Sequence, residues 1–217
     1  MKMNGRFDRF LEKRKADIIS AVLRLVDRVG LNGVTTKRIA LEVGVTEGAL
    51  YKHFRSKNEI FLRILEVTEL QLQEEYAGMA ARGLGPGQRL DALFSFLAAY
   101  LDEFPGLYRT VFSDALYAGD SELRQRFKTT IHGLKESAEQ AIRAGVADGL
   151  FRPELDPYTS AIMYLGVVDT SFTLWSIFEE RSRGLAEVAR PLFAEYMNSL
   201  RPGPASSHPS APLASLP

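Results

Sequence analysis

Residues 35–57 read TTKRIALEVGVTEGALYKHFRSK, and this stretch decides the fold. Ile39 and Val43 recur at helical spacing, which predicts the buried face of a short helix. Gly44 follows directly, and a residue without Cβ ends a helix most easily in the left-handed conformation. Thr46 can cap a second helix, because its hydroxyl can accept a backbone N–H of the first turn. The stretch therefore predicts two short helices around a tight turn.

The second of these helices is predicted to bury Leu50 and Phe54 and to expose its other side. The small Ala40 and the glycine at the turn allow the two helices to cross closely. This pattern is typical of a helix-turn-helix motif, here residues 35–54. In such motifs the N-terminal end of the second helix enters a DNA major groove. The residues predicted to be exposed there are Glu47, Gly48, Ala49, Tyr51, Lys52 and His53.

A longer string surrounds the motif. Between Gly33 and Leu62 the sequence has T-x-x-I-A near its start, V-G-V in the middle and L-Y-x-H-F-x-x-K beyond. This string closely resembles the DNA-binding domain of the TetR family of bacterial transcriptional repressors. The resemblance implies a three-helix DNA-binding domain followed by a helical domain for ligand binding and dimerisation.

The resemblance and the side-chain chemistry together predict the contacts with DNA. Tyr51 and Lys57 are predicted to hold phosphates, while Glu47 can accept a hydrogen bond from cytosine and Lys52 can donate to guanine. The alternative is that Tyr51 and His53 only pack the small domain. The full predicted set is Thr36, Lys37, Thr46, Glu47, Gly48, Ala49, Tyr51, Lys52, His53 and Lys57.

Charge is divided unevenly along the chain. Residues 1–60 contain 13 Lys and Arg against 7 Asp and Glu, whereas the remainder contains 14 against 20, so the formal net charge is zero. A basic head on an acidic remainder is typical of a DNA-binding unit joined to another domain, although ordinary charge clustering gives the same pattern. Residues 6–15 form a basic arm that either reaches DNA or is a solvated helix end.

Helical periodicity continues to the end of the second domain, and no stretch alternates as a strand does, so the predicted fold class is all-α. We predict a DNA-binding domain at 12–72, a ligand-binding and dimerisation domain at 73–200, and a disordered Pro- and Ser-rich tail at 201–217. The helix that starts near Lys57 joins the two domains and is predicted to transmit changes between them. The predicted helices span about 15–29, 35–43, 46–54, 57–81, 88–101, 107–118, 121–147, 157–180 and 185–200.

The predicted helix at 157–180 is apolar on more than one side, whereas a surface helix needs only one apolar stripe. The resemblance implies that this helix and the last one form a four-helix interface with a second copy. Helix-turn-helix proteins also usually read two half-sites as two-fold dimers. The alternative is that these side chains are the core of a single chain. The predicted interface residues are Val168, Trp175, Phe193 and Met197.

Aromatic residues are frequent in the second domain. The resemblance implies a small-molecule pocket there, and these side chains predict an apolar one for a hydrophobic ligand, although most would also serve in plain core packing. Asp169 lies within an apolar helix, and a lone buried carboxylate is costly. It therefore pairs with an arginine, caps a ligand or faces solvent. The predicted ligand contacts are Phe94, Tyr100, Tyr108, Phe112, Tyr164 and Phe172.

Other classes of function have little support in the sequence. The chain has no cysteine, its three histidines at 53, 132 and 208 are far apart, and it lacks H-E-x-x-H, G-x-S-x-G and P-loop motifs. No apolar run approaches the roughly 18 residues of a membrane span, and the first residues lack the apolar core of a signal peptide. We therefore predict a cytoplasmic protein that is not an enzyme and uses no metal or cofactor.

The function predicted from this combination is a dimeric repressor. It is expected to bind palindromic operator DNA and to be released by a small, largely hydrophobic molecule. The alternative is an all-α ligand-binding or adaptor protein that never touches DNA.

Overall fold

A computed structural model of the chain describes residues 7, 9–106, 108, 121–177 and 183–203. These residues contain no strand, which confirms the all-α fold class. Apart from residue 108, the predicted helix at 107–118 lies outside the described residues, as does most of the predicted tail. The helices of the described residues are α1 (Lys13–Gly33), α2 (Thr36–Val43), α3 (Glu47–Tyr51), α4 (Lys57–Ala81), α5 (Pro86–Glu103), α6 (Ser121–Ala147), α7 (Pro157–Ile177) and α8 (Leu185–Leu200).

Two helices of the head, which we define as α1 to α3 with the first half of α4, differ from the predicted bounds. α1 begins at Lys13 and continues past a break at Gly30, where φ is 70° and ψ is 168°. α3 contains only 5 residues and is capped at Lys52. The backbone N–H of His53 then donates to the carbonyl of Leu50 at 2.9 Å. The motif therefore ends in a tight turn where the sequence predicted a longer helix.

The turn between α2 and α3 is fixed by the residues that the sequence predicts. Gly44 ends α2 with φ 74° and ψ 40°, and the N–H of Val45 donates to the carbonyl of Ala40 at 2.9 Å. This combination is the Schellman ending of a helix. The hydroxyl of Thr46 accepts from the N–H of Ala49 at 3.1 Å and caps α3. The direction of α3 is therefore set by local hydrogen bonds.

One apolar core holds the head together and continues beyond it. Its centre consists of fully buried aliphatic side chains such as Ile19 on α1, Ile39 on α2 and Leu50 on α3. The same core includes side chains from α5 and α6, namely Tyr100, Phe104, Leu123 and Phe127. The head is therefore packed directly onto the second domain.

The backbone of the second domain lies close to the head at Gly106, just after α5. A Cβ atom at this position would lie 2.1 Å from the carbonyl oxygen of Leu23 and 3.2 Å from the backbone nitrogen of Asp27. Beside this contact the ring of Phe7, which is fully buried, meets the ring of Phe104 edge to face at 5.0 Å. Only a glycine allows the end of α5 to lie this close to the backbone of α1.

A second apolar core is built from the second half of α4, from α5 to α8 and from the loop that follows α6. The rings of Phe94 and Phe193 stack at a centroid distance of 4.1 Å in this core. Buried aromatic side chains with polar atoms also find partners there, as burial requires. Tyr164 donates to the carbonyl of Leu90 at 3.1 Å, Tyr196 to that of Ser160 at 2.8 Å, and Trp175 Nε1 to that of Arg183 at 2.9 Å.

Candidate DNA-binding surface and internal cavity

α3 lies on the surface of the head. Glu47, Gly48, Tyr51 and Lys52 are exposed, and Tyr51 keeps 48% of its surface accessible although it is a large aromatic residue. Ala49 and His53 are half-buried, and Leu50 is the side chain that α3 buries in the head. The arrangement presents a helix N-terminus and a short polar surface to a partner, which is how a recognition helix meets a DNA groove.

Three of the predicted DNA contacts are oriented by hydrogen bonds within the head, namely Thr36, Glu47 and Lys57. The hydroxyl of Thr36, at the start of α2, donates to Oε2 of Glu47 at 2.8 Å and so joins the N-terminal ends of α2 and α3. The ammonium of Lys57 donates to the carbonyl of Val34 at 3.2 Å and is half-buried. An ammonium has three donors, so this bond leaves capacity for a phosphate. Lys37 is exposed beside them.

An ion-pair cluster joins α1 to α2 behind this surface. The guanidinium groups of Arg24 and Arg28 both contact Glu42, Arg24 at 3.5 Å from Oε1. The hydrogen bond from Arg28 is the main reason that the pKa of Glu42 is lowered from its ordinary value. The cluster holds the helix before the turn in place relative to α1.

A cavity of about 410 Å³ lies between α4, α5, α6 and α7. This volume falls within the roughly 300–1,000 Å³ of small-molecule sites. The wall is mainly aliphatic and aromatic, and Leu65, Tyr100 and Phe127 belong to it and to the core of the head at once. The polar members of the wall are Thr68, Tyr100, Tyr108, Thr130 and Asp169.

The predicted ligand residues divide into two groups. Tyr100 and Tyr108 line the cavity. Phe94, Tyr164 and Phe172 pack in the second core, where Phe172 lies against the ring of Tyr108 at 3.8 Å. The aromatic count alone cannot separate these roles, because both place the ring among apolar neighbours. Phe112 lies outside the described residues.

Sequence reasoning missed the part of the wall that α4 supplies. Thr68 donates to the carbonyl of Ile64 at 2.8 Å, and its oxygen lies 3.0 Å from the hydroxyl of Tyr100. Since the single hydroxyl proton of Thr68 is already used, Tyr100 is the donor in the second bond. A threonine between Leu65 and Leu72, on the buried face of a helix, was the signal for this polar contact.

Asp169 is half-buried and forms a polar cluster at the cavity wall. The hydroxyl of Tyr108 donates to Oδ1 of Asp169 at 2.5 Å and lies 2.8 Å from Oγ1 of Thr173. Burial, and then the hydrogen bond to Asp169, raises the pKa of Tyr108 to about 12. The partner of the carboxylate among the described residues is therefore a phenol, where the sequence left an arginine, a ligand or solvent open.

The predicted interface residues pack within the chain. Trp175 and Phe193 each keep only 3% of their surface accessible, Met197 is buried beside them, and Val168 is half-buried at the cavity wall. The surface that α7 and α8 leave exposed is therefore formed mainly by other residues. Periodicity cannot make this distinction, because the apolar residues of α7 lie on more than one side of the helix.

An exposed apolar surface does exist on these two helices. It forms a shallow groove of about 370 Å³ between α7 and α8, and Met163, Leu174, Ile177 and Leu192 are exposed on the same helices. By length and composition α7 is also apolar enough to span a membrane, but a single helix of this kind among the described residues is weak evidence, since core helices of soluble proteins share that composition. Among the described residues, no three His, Cys, Asp or Glu side chains are placed to hold a metal ion.

Two family models match the chain. Residues 18–64 match the one described as bacterial regulatory proteins, tetR family, and residues 111–197 match the one described as YsiA-like protein, C-terminal region. The nucleoid occlusion factor SlmA of Marinobacter nauticus is 30% identical over 148 residues, which cover 68% of this chain and 74% of that protein. SlmA of Vibrio cholerae is 28% identical over 131 residues, which cover 60% of this chain and 67% of that protein.

Solved structures share the architecture. FadR from Bacillus subtilis in complex with stearoyl-CoA superposes with a TM-score of 0.70 at 19% identity and covers 85% of this chain and 98% of that chain. The ketosteroid transcriptional regulator KstR2 of Mycobacterium tuberculosis superposes with a TM-score of 0.73 at 18% identity. The match covers 89% of this chain and 97% of that chain. At these identities the likeness shows the fold.

A helix-turn-helix head with an exposed second helix, packed onto an all-helical domain with an internal cavity, defines a DNA-binding transcriptional regulator. The chain belongs to the TetR family of these bacterial regulators.

Proposed function

We propose that the protein is a cytoplasmic, homodimeric repressor that binds palindromic operator DNA and leaves it when a small apolar molecule fills the cavity. The observation that carries the proposal is the double role of Leu65, Tyr100 and Phe127, which belong to the core of the head and to the cavity wall. A ligand in the cavity would touch the side chains that hold the head in position.

DNA contact is assigned to the N-terminal end of α3. Tyr51 and Lys52 are exposed there, and Glu47 is oriented by its bond from Thr36. A single helix of 5 residues offers few base contacts. Two such helices on a palindrome, about 34–36 Å apart in successive major grooves, would double them. An adaptor that never touches DNA has no use for this exposed polar end.

The partner in the dimer is assigned to the exposed surface of α7 and α8. A contiguous apolar surface on a soluble chain marks an interaction site. Met163 and Leu192 flank the groove there, with Gly166 and Thr170 as small residues between them. A two-fold contact would bury the same groove on both copies, as an isologous interface does.

The response to a ligand is assigned to α4 and α5. The hydrogen bond between Tyr100 and Thr68 crosses from one helix to the other at the cavity wall. A ligand shifts the balance between two states of the head only by its differential affinity for them. A molecule that separates this pair of helices would therefore favour a state with a different spacing of the two recognition helices.

The test is fluorescence anisotropy with a labelled duplex from the region upstream of the protein's own gene. With the full chain we expect the logarithm of the affinity to fall linearly with the logarithm of the salt concentration. Lys57→Ala removes one predicted phosphate contact from each of the two chains, so the slope should become shallower by about two. Lys128→Ala, which removes an exposed lysine from α6, is the matched control and should leave the slope unchanged.

The stoichiometry and the sequence dependence complete this test. We expect two chains per duplex and a clear preference over a scrambled duplex. Binding that does not respond to salt, or a Lys52→Ala variant that binds as the parent does, would refute the assignment of α3 as the recognition helix.

A further inference from the structure

The cavity of the proposed regulator has a distinctive charge. Asp169 is the one charged side chain among the described residues that line it, and none of these wall residues is Lys, Arg or His. The remaining polar wall residues are hydroxyls, of which Thr68 and Tyr100 bond to each other. A ligand that fills this space therefore meets a carboxylate with no cation beside it in the described wall.

The hydrogen bonds around Asp169 leave it as an acceptor. Tyr108 uses its only proton on Oδ1 of Asp169, so the hydroxyl of Thr173 must donate to the phenolic oxygen. A carboxylate offers about four lone-pair sites over two oxygens. One donor from Tyr108 leaves most of them open. The cluster thus holds the carboxylate in a fixed orientation and keeps capacity for one more donor.

The physical cost of filling the cavity selects the ligand. A molecule that displaces water from a half-buried carboxylate must replace the lost hydrogen bonds, or the desolvated charge makes binding unfavourable. A positively charged nitrogen replaces them and adds Coulomb attraction, whereas a second carboxylate adds repulsion. The aromatic rings of Phe96, Tyr100 and Phe127 in the same wall also favour a cation over an anion.

We infer that the effector is a largely apolar molecule with a basic nitrogen, and that Asp169 is the residue that binds this nitrogen. The inference rests on the proposed ligand-responsive function and specifies the chemical class of the ligand. The ligand inferred for this chain is cationic, whereas the structural neighbour FadR was solved in complex with stearoyl-CoA, which is an anionic molecule. The two proteins share a fold, while the charge at this wall points to a different ligand.

The experiment uses three probes with the same apolar tail, namely decylamine, decanol and decanoate, each below its micelle concentration at neutral pH. Binding to the full chain is measured by isothermal titration calorimetry. At this pH the amine is charged, since its pKa lies near the value of about 10.4 for lysine. We expect the amine to bind at least about tenfold more tightly than decanoate, with decanol between them.

Two variants locate the effect. Asp169→Asn keeps an oxygen that can accept from Tyr108 and removes the charge, so the difference between amine and decanoate is expected to shrink to about threefold or less. Leu134→Trp fills the cavity from α6 and is expected to weaken all three probes together. Melting temperatures of both variants establish that they are folded, and the comparison of probes on the unmodified chain stands without them.

The outcomes separate this inference from the proposed function. If decanoate binds as tightly as the amine, or if Asp169→Asn keeps the full preference, the assignment of Asp169 is overturned. Decanol that binds and releases DNA would in that case still support a ligand-responsive regulator. If none of the probes binds while DNA binding is intact, the inference and the assignment of the cavity both fail, and the DNA-binding function stands.

Discussion

The contact between Gly106 and α1 allows a sharp test of how the head is attached. In Gly106→Ala the new methyl group would lie 2.1 Å from the carbonyl oxygen of Leu23 and 3.0 Å from its carbonyl carbon. These are backbone atoms within α1, so a side-chain rotation cannot relieve the overlap. Either α1 or the end of α5 has to move.

The magnitude follows from the geometry. Overpacking of a well-packed site costs typically about 1–3 kcal/mol, and backbone neighbours place this site near the upper end. Gly106 does not have a positive φ, so the alanine itself is allowed and offsets about 0.4–1 kcal/mol by restricting the unfolded chain. The net loss is about 2–2.6 kcal/mol. At about 2–4 °C per kcal/mol for a chain of this size, the melting temperature should fall by about 4–10 °C.

The assay is thermal unfolding followed by circular dichroism, with Gly133→Ala as the matched control. Gly133 lies within α6, and a Cβ atom there would meet nothing within 4 Å. The same substitution should therefore stabilise the chain by up to about 1 kcal/mol, because alanine is the better helix former. A Gly106→Ala variant that melts with the parent, or that gains stability as the control does, would refute the close packing of α5 on α1.

Three further outcomes are expected. Met163→Asp places a charge in the apolar groove between α7 and α8, so analytical ultracentrifugation should find a monomer. Leu150→Asp changes an exposed leucine outside this groove and should leave the dimer intact. A Met163→Asp variant that stays dimeric would contradict the assigned interface. Thr46→Ala removes the hydroxyl that accepts from the N–H of Ala49, so urea unfolding should show that the free energy of unfolding falls by about 1 kcal/mol. Thr46→Ser should restore this stability, and an unchanged free energy in Thr46→Ala would argue against the cap. The pKa of Tyr108 is raised to about 12 from an ordinary value of 10.0. The protonated phenol therefore contributes fully to the free energy of unfolding below pH 10, and this contribution is lost as the pH rises towards 12. Tyr108→Phe should therefore flatten part of the decline of the urea midpoint over that range, and an unchanged decline would contradict the buried phenol.

The helix-turn-helix motif could be predicted from the sequence because its determinants are local. Gly44 ends α2 and Thr46 caps α3 through bonds that span only a few residues. Asp156 likewise accepts from the N–H of Thr159, three residues further along the chain at the start of α7. Hydrogen bonds of this kind depend on spacing alone, so a sequence pattern is enough to find them.

The direction of each apolar side chain could not be predicted. Trp175 and Phe193 are buried within the chain, while Met163 on the same helix as Trp175 keeps 55% of its surface accessible. All three are apolar residues in helices of similar composition. Where apolar residues surround a helix, periodicity does not say which of them face the chain's own core.

The polar wall of the cavity depends on contacts between distant parts of the sequence. Tyr108 meets Asp169 across 61 residues, and Thr130 donates to Glu69 across the same separation. Spacing rules apply within a helix and cannot bring such pairs together. The sequence could therefore flag Asp169 as costly but could not identify its partner.

The shared core also limits how the gene of this regulator can be recombined with others. A hybrid cut at residue 72 would keep Ile64 and Leu65 but lose Tyr100, Phe104 and Phe127, which belong to the same apolar core in the parent. Each lost aromatic side chain represents roughly 1.5–3 kcal/mol of burial, so such a hybrid is expected to express as an unstable fragment. An exchange of sensing parts would have to carry the cavity wall, which extends from α4 to α7, along with the DNA-reading end.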